Sequence, residues 1–223
     1  MQTSNPIIVT VLSVPFEENS YIAYFEGRED CLVIDPGLEP EKILAALDER
    51  KLTVAAILCT HGHADHIAGN AVLKERWPEA PLIIGAGDAV KLIDPEQNLS
   101  AGFGVSLVSP PADQTLDEGD VVELAGFRLE VFDTPGHSTG HVVFVASDLQ
   151  PVQVFGGDVL FAGSVGRTDF PDCSFEVLKK SIYDKLYPLA DDAVVWPGHG
   201  PATTIGAEKR SNPFVGLNSG YEG

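Results

Sequence analysis

Positive charge is scarce in this sequence: 14 Lys and Arg stand against 33 Asp and Glu, and the net charge is −19 at neutral pH. Nucleic acids and anionic membranes attract the opposite sign, so neither is expected as a partner. The acidity reads as a solvated, soluble surface. Long apolar runs are also absent. None approaches the roughly 18 residues that a bilayer span requires, and the N-terminus lacks the basic start and apolar stretch of a signal peptide. Cysteine is sparse and odd in number, and Cys31, Cys59 and Cys173 are spaced neither as metal pairs nor as a disulfide framework. Cys31 and Cys59 lie inside apolar runs, where a small buried thiol is expected. A reducing, cytoplasmic compartment is the corresponding expectation. A chain of 223 residues buries a sizeable core without covalent staples. No low-complexity stretch, linker or fixed-period repeat divides it, so one domain over residues 1–223 is expected.

Histidine is scarce too, but it is concentrated. All six histidines lie in three stretches: His61, His63 and His66; His137 and His141; and His199. The first stretch, Cys59-Thr60-His61-Gly62-His63-Ala64-Asp65-His66, follows the apolar run Val54–Cys59 and precedes a segment with helical spacing. The cluster therefore sits in a strand-to-helix turn, where His61 and His63 face one way and Asp65 and His66 open the helix. Imidazole and carboxylate donors suit zinc, iron or manganese.

The chain alternates short strands with helices. Strands are expected at Ile7–Val14, Tyr21–Glu26, Cys31–Ile34, Val54–Cys59, Pro81–Ile84, Asp120–Leu124, Phe127–Asp133, His141–Ala146, Val152–Phe155 and Ala193–Trp196. Helices are expected at Glu39–Lys51, Asp65–Trp77, Ala86–Ile93, Ser174–Leu186 and Thr204–Arg210. The span Asp94–Pro111 is the least patterned, rich in Gly, Ser and Pro, and is the candidate for a mobile substrate loop.

The strands share a grammar. Val33-Ile34-Asp35-Pro36-Gly37, Phe132-Asp133-Thr134-Pro135-Gly136-His137, Phe155-Gly156-Gly157-Asp158 and Val194-Val195-Trp196-Pro197-Gly198-His199 each end an apolar run in a Gly or Pro turn beside one Asp or His. Glycine permits the tight turn and proline fixes the exit. A rigid sheet that presents ligands from its strand ends is a common way to build a site.

Thr60-His61-Gly62-His63-Ala64-Asp65-His66, with His137, Asp158 and His199 downstream, resembles the pattern of the metallo-β-lactamase superfamily. Within it, Gly157-Asp158-Val159-Leu160-Phe161, Gly166-Arg167-Thr168-Asp169-Phe170 and Pro197-Gly198-His199-Gly200-Pro201 look like glyoxalase II (hydroxyacylglutathione hydrolase) and its short relatives. Persulfide dioxygenases share much of this wording. The resemblance covers nearly the whole chain and implies an α/β fold, an αββα sandwich of two mixed sheets flanked by helices. It also implies two divalent transition-metal ions, with zinc placed first and iron or manganese as alternatives. His61, His63 and His137 would hold one ion, Asp65, His66 and His199 the other, and Asp158 would bridge them. Asp65 and Asp158 would neutralise metal charge and fix a bridging hydroxide. Asp35 and His141 would stand behind the ligands, and Arg167, Lys209 and Arg210 are the basic residues placed to meet a substrate carboxylate. For Arg167 an internal pair with Asp169 is the better expectation.

The implied activity is hydrolysis of a small glutathione-derived thioester of the S-lactoylglutathione type. A mononuclear iron persulfide dioxygenase, or another hydrolase of the superfamily such as a lactonase, is the alternative. Two features depart from the long glyoxalase II pattern. No separate C-terminal glutathione-binding domain is expected after His199, and Val165 stands where cysteine is common. Both are shared by the short glyoxalase-II-like branch.

Overall fold

In a computed structural model that describes residues 5–221, fourteen strands and five α-helices build the chain. The N-terminal half forms one sheet from β1 (Ile7–Ser13), β2 (Glu18–Tyr24), β3 (Asp30–Ile34), β4 (Thr53–Cys59), β5 (Leu82–Gly85) and β6 (Gln114–Leu116), in that order. β1, β2 and β3 pair antiparallel, whereas β3 through β6 run parallel. The parallel half needs crossovers. α1 (Pro40–Arg50) supplies the first, and α2 (Ala64–Ile67) with α3 (Asn70–Arg76) the second.

The second sheet comes from β7 (Val121–Leu124), β8 (Phe127–Asp133), β9 (Val142–Ala146), β10 (Gln153–Gly157), β13 (Val194–Pro197) and β14 (Thr203–Thr204), ordered β14-β13-β10-β9-β8-β7. Only β10 and β13 are parallel in it, and the connection between them contains the small hairpin of β11 (Leu160–Phe161) and β12 (Ser164–Val165) and then α4 (Phe175–Ser181). α5 (Ile205–Ser211) follows β14.

Strand residues alternate between two buried faces, which is why these runs read as continuously apolar. In β3, Leu32 and Ile34 join Leu58, Phe144 and Phe155 between the sheets, whereas Cys31 and Val33 join Ile43, Leu47 and Leu73 under α1 and α3. On the far side, Val143, Val145 and Val195 meet Leu178 of α4 and Ile205 of α5. The result is four layers, helix–sheet–sheet–helix, around three apolar cores. This is the expected αββα sandwich, and Cys31 and Cys59 are buried in it as small apolar groups.

Four local expectations differ from the structure. The helix expected over Asp65–Trp77 is broken in two, because Gly69 lies against Pro36 and its N–H donates to the Pro36 carbonyl at 2.8 Å. The segment Ala86–Leu92 is a 3-10 helix, and the C-terminal half of the expected Ser174–Leu186 helix winds as a π-turn over Ile182–Leu186. The Asp94–Pro111 span has one short 3-10 turn, Ala101–Phe103, yet it is tied down internally. Fully buried Asn98 donates through Nδ2 to the Lys91 and Leu107 carbonyls at 3.0 Å each, and its own carbonyl accepts from the Ala64 N–H at 3.0 Å.

Candidate metal centre

The ends of β3, β4, β8, β10 and β13 converge on one edge of the sandwich. They bring Asp35, His61, His63, His137, Asp158 and His199 together, while α2 adds Asp65 and His66. Two glycines make the convergence possible. Gly157 turns with φ +46°, and a Cβ there would strike the Thr60 hydroxyl and His141 Nε2. A Cβ on Gly198 would strike the Asp158 carboxylate and the His66 ring.

Hydrogen bonds on the outer side of each ring decide which nitrogen faces the centre. Thr60 Oγ1 donates to Asp35 Oδ2 at 2.7 Å, so it accepts from His61 Nδ1 at 3.1 Å and leaves His61 Nε2 as a bare lone pair. His137 Nδ1 donates to the Arg167 carbonyl at 2.8 Å, which frees its Nε2. His66 Nδ1 donates to Asp35 Oδ2 at 3.2 Å, and His199 Nδ1 to the Phe16 and Glu17 carbonyls at 3.1 and 3.2 Å. Four imidazoles thus present Nε2 inwards for reasons visible in their surroundings.

The inward atoms form two adjoining groups. His63 Nδ1 lies 3.1 Å from His61 Nε2 and 2.9 Å from His137 Nε2. Three nitrogens that close are near the edge of a zinc coordination tetrahedron, about 3.3 Å for zinc–nitrogen bonds of about 2.05 Å. In the second group, Asp65 Oδ2 is 3.8 Å from His66 Nε2 and 3.5 Å from His199 Nε2. Asp158 spans both groups. Its Oδ2 is 3.4 Å from His137 Nε2 and 3.4 Å from His199 Nε2, and its Oδ1 is 3.5 Å from His66 Nε2.

Charge and satisfaction point the same way. Burial, reinforced by neighbouring histidines, holds His61 and His63 well below the usual imidazole range, so they offer neutral lone pairs. Burial also opposes charge on His66 and His199, but Asp65 and Asp158 outweigh it and lift their pKa values to about 10 and about 11. The same carboxylates that hold protons on these two rings would favour a bound cation in place of those protons. His66 Nε2 and Asp158 Oδ1, which both face the centre, are buried without a hydrogen-bond partner, an arrangement that stays costly unless something else satisfies it. The donor set therefore fits a pair of divalent cations.

Not every expected site residue is a donor. His141 Nδ1 lies 3.0 Å from the Thr134 hydroxyl, and its Nε2 accepts the Asp158 backbone N–H at 3.1 Å, so both nitrogens are spent. It holds the turn that carries Asp158. Asp35, at φ 48°, accepts the Thr60 N–H at 2.7 Å as well as the Thr60 hydroxyl and His66. Arg167 lines the cavity in front of the donors but is bidentate to Asp169 at 2.9 Å. Lys209 and Arg210 are not brought to the site. α5 points both at Asp191, with Lys209 Nζ 2.8 Å from its carboxylate, so their expected role in substrate binding has no geometric support.

Other residues of the site carry no sequence signal. Asp88, fully buried, accepts from the Gly62 N–H at 2.9 Å, the Gly140 N–H at 2.8 Å and the Ser138 hydroxyl, stapling the His61–His63 turn to the His137 loop. Lys91 bonds Ser138 and reaches Asp172 at 2.6 Å. Asn19 Nδ2 donates to the Pro197 and Gly200 carbonyls at 3.0 and 2.7 Å, pinning the loop of His199. A cavity of about 210 Å³ opens onto the donors.

Residues 14–199 match the family model of the metallo-beta-lactamase superfamily. The chain is 37% identical over 209 residues to the hydroxyacylglutathione hydrolase GloC of Haemophilus influenzae, covering 92% of this chain and 95% of that protein. It is similar to the structure of BLEG-1, described as a B3 metallo-beta-lactamase, with a TM-score of 0.88 and 34% identity over 94% of this chain and 99% of that one. TTHA1623, solved in a di-iron-bound form, superposes with a TM-score of 0.79 and 38% identity over 92% of this chain and 99% of its own. With a family model over most of its length and a relative this alike from end to end, the chain belongs to the metallo-β-lactamase superfamily, whose fold implies divalent metal ions and hydrolytic chemistry.

Proposed function

We propose that the protein is a binuclear metal-dependent thioester hydrolase of the hydroxyacylglutathione hydrolase type, acting on thioesters like S-lactoylglutathione. His61, His63 and His137 would hold one ion, Asp65, His66 and His199 a second, and Asp158 would be shared between them. The observation that carries this reading is the completeness of the second donor group beside the first, spanned by one carboxylate. The likeness to GloC supports the thioester class. Ions bound there would supply Lewis acidity towards a carbonyl oxygen and lower the pKa of water towards about 7.

The chain's own residues do the rest. Asp65 is a partly exposed carboxylate of the cavity lining, with Oδ2 3.5 Å from His199 Nε2, and is placed to orient a water or hydroxide there. His61, His66, His137 and His199 keep their outward N–H groups fixed by the acceptors behind them, which holds each Nε2 on its target. A cysteine nucleophile has no support: burial pushes the Cys59 thiol far above its usual range and the Cys173 thiol up to about 11.

The test is anaerobic turnover. The metal-loaded protein should release thiol from S-lactoylglutathione without oxygen and should consume no oxygen with glutathione persulfide. Oxygen uptake with the persulfide, together with an inert thioester panel, would promote the dioxygenase alternative.

A further inference from the structure

The cavity in front of the metal donors is walled by aromatic and aliphatic side chains. Phe170 stands edge-on to His63 with ring centroids 5.6 Å apart, and to His137 at 6.4 Å. On the His199 side, Phe16 and Phe103 meet edge to face at 5.4 Å. The Phe16 carbonyl holds His199 Nδ1, so this pair is fixed to the donor group itself. Leu99, Val105 and Leu107 complete the wall from the loop that Asn98 anchors. Phe103 is 65% and Val105 55% exposed, so large apolar surface faces the opening instead of a core.

Cationic surface is the missing component. Among the described residues lining the cavity, Arg167 is the single Lys or Arg. Its guanidinium is taken by Asp169 and lies 4.4 Å over the Phe170 ring. The other charged groups of the lining are Asp65, Asp158 and histidines of the centre, in a chain of net charge −19. A carboxylate brought into this cleft away from the metals would give up water without a free cation to meet it. An alkyl or aryl group would gain from every methylene removed from water. Apolar pockets beside a few convergent polar groups are the usual form of a small-molecule site.

We propose that this cleft favours thioesters bearing an extended apolar substituent over S-lactoylglutathione, which the metal centre still cleaves, and that a glutathione moiety adds little to recognition. The proposal rests on the thioester reading of the metal centre and specifies the substrate class for it. The apolar group enters between Phe170 on one side and Phe16 with Phe103 on the other. It belongs to either the acyl or the thiol half of the substrate.

Two panels on the metal-loaded protein test this. In the first, kcat/KM is measured for acetyl, butyryl, hexanoyl and phenylacetyl thioesters of glutathione and of neutral N-acetylcysteamine, and for acetyl thioesters of alkanethiols of rising length. The expected result is a rise of about four-fold per added methylene until the cleft is filled, on whichever half enters, with the neutral thiol at least equal to glutathione. Phe103→Ser, on the exposed 3-10 turn, should flatten that slope by about ten-fold for the longest chain while leaving metal content unchanged. In the second panel, calorimetry follows binding of the non-hydrolysable S-methyl, S-butyl and S-hexyl thioethers of N-acetylcysteamine, which needs no turnover.

The outcomes separate the two readings. Inert thioesters with thioether binding that strengthens with chain length and weakens in Phe103→Ser would keep the apolar cleft and overturn thioester hydrolysis. Active thioesters with no dependence on chain length, or with glutathione strongly preferred, would overturn the apolar cleft and keep the hydrolase. Absence of both turnover and binding overturns both.

Discussion

Asp158 faces both donor groups with free oxygens, whereas His141, one strand away, stacks on His61 but spends both nitrogens on Thr134 and the Asp158 N–H, and this difference gives a paired test at the level of single residues. Asp158→Ala removes the carboxylate that lies 3.4 Å from both His137 and His199. Loss of a group that merely orients a ligand already costs roughly 10–100-fold. Removal of the shared donor should therefore lower turnover more than about a hundred-fold and deplete both ions in elemental analysis. His141→Ala should keep two ions per chain but leave the Asp158 backbone N–H buried and unpaired. Its expected cost is about 1–3 kcal/mol of stability, read by denaturant unfolding. Equal metal loss in both variants would show that the turn His141 holds is as necessary for metal binding as the Asp158 carboxylate itself.

Between elements, the decisive contact is the staple at Asp88. The 3-10 helix Ala86–Leu92 supplies none of the candidate metal donors, yet its Asp88 carboxylate gathers backbone N–H groups from the His61–His63 turn and the His137 loop. Asp88→Ala would strand those donors and leave Lys91, 3% exposed, with Asp172 as its remaining acidic partner. A loss of about 3 kcal/mol follows from breaking a buried ionic network on one side. Metal affinity should weaken with it, since the first donor group loses its fixed geometry. Urea unfolding of the metal-free form and competitive metal titration check the two effects. Unchanged metal affinity in a variant that is destabilised as expected would show that the staple serves stability alone.

At the scale of the whole molecule, the candidate donors come from strand ends of both sheets, so ions held there would tie the two halves of the sandwich together. A ligand that binds only the folded state stabilises it by about 2.7 kcal/mol at a hundred times its dissociation constant. Removal with a chelator should therefore lower Tm by roughly 5–10 °C for a chain of this size, and stoichiometric zinc, iron or manganese should restore it. A Tm indifferent to chelation would contradict a metal centre spanning both sheets.

The candidate donors were legible in the sequence because they rest on local patterns, and the sandwich was implied by the family resemblance that those motifs carry. Six histidines confined to three stretches, and strands that each end in a Gly or Pro turn beside an Asp or His, are features of consecutive residues. So is the pair of Arg167 with Asp169 two positions on. What proximity in the fold decides was hidden. The helix break at Gly69 depends on Pro36, the Asp88 staple on residues 26 and 52 positions away, and the turning of Lys209 and Arg210 towards Asp191 on how α5 settles against the second sheet. The apolar walls belong to the same class, since Phe16 and Phe103 meet only when the two loops are brought to one rim. The sequence by itself determined which atoms are available to bind metal, since ligand chemistry resides in residue type and short spacing. Tertiary structure alone decided which nitrogen each ring turns inwards and what surface surrounds the centre, because hydrogen bonds and burial join residues far apart along the chain.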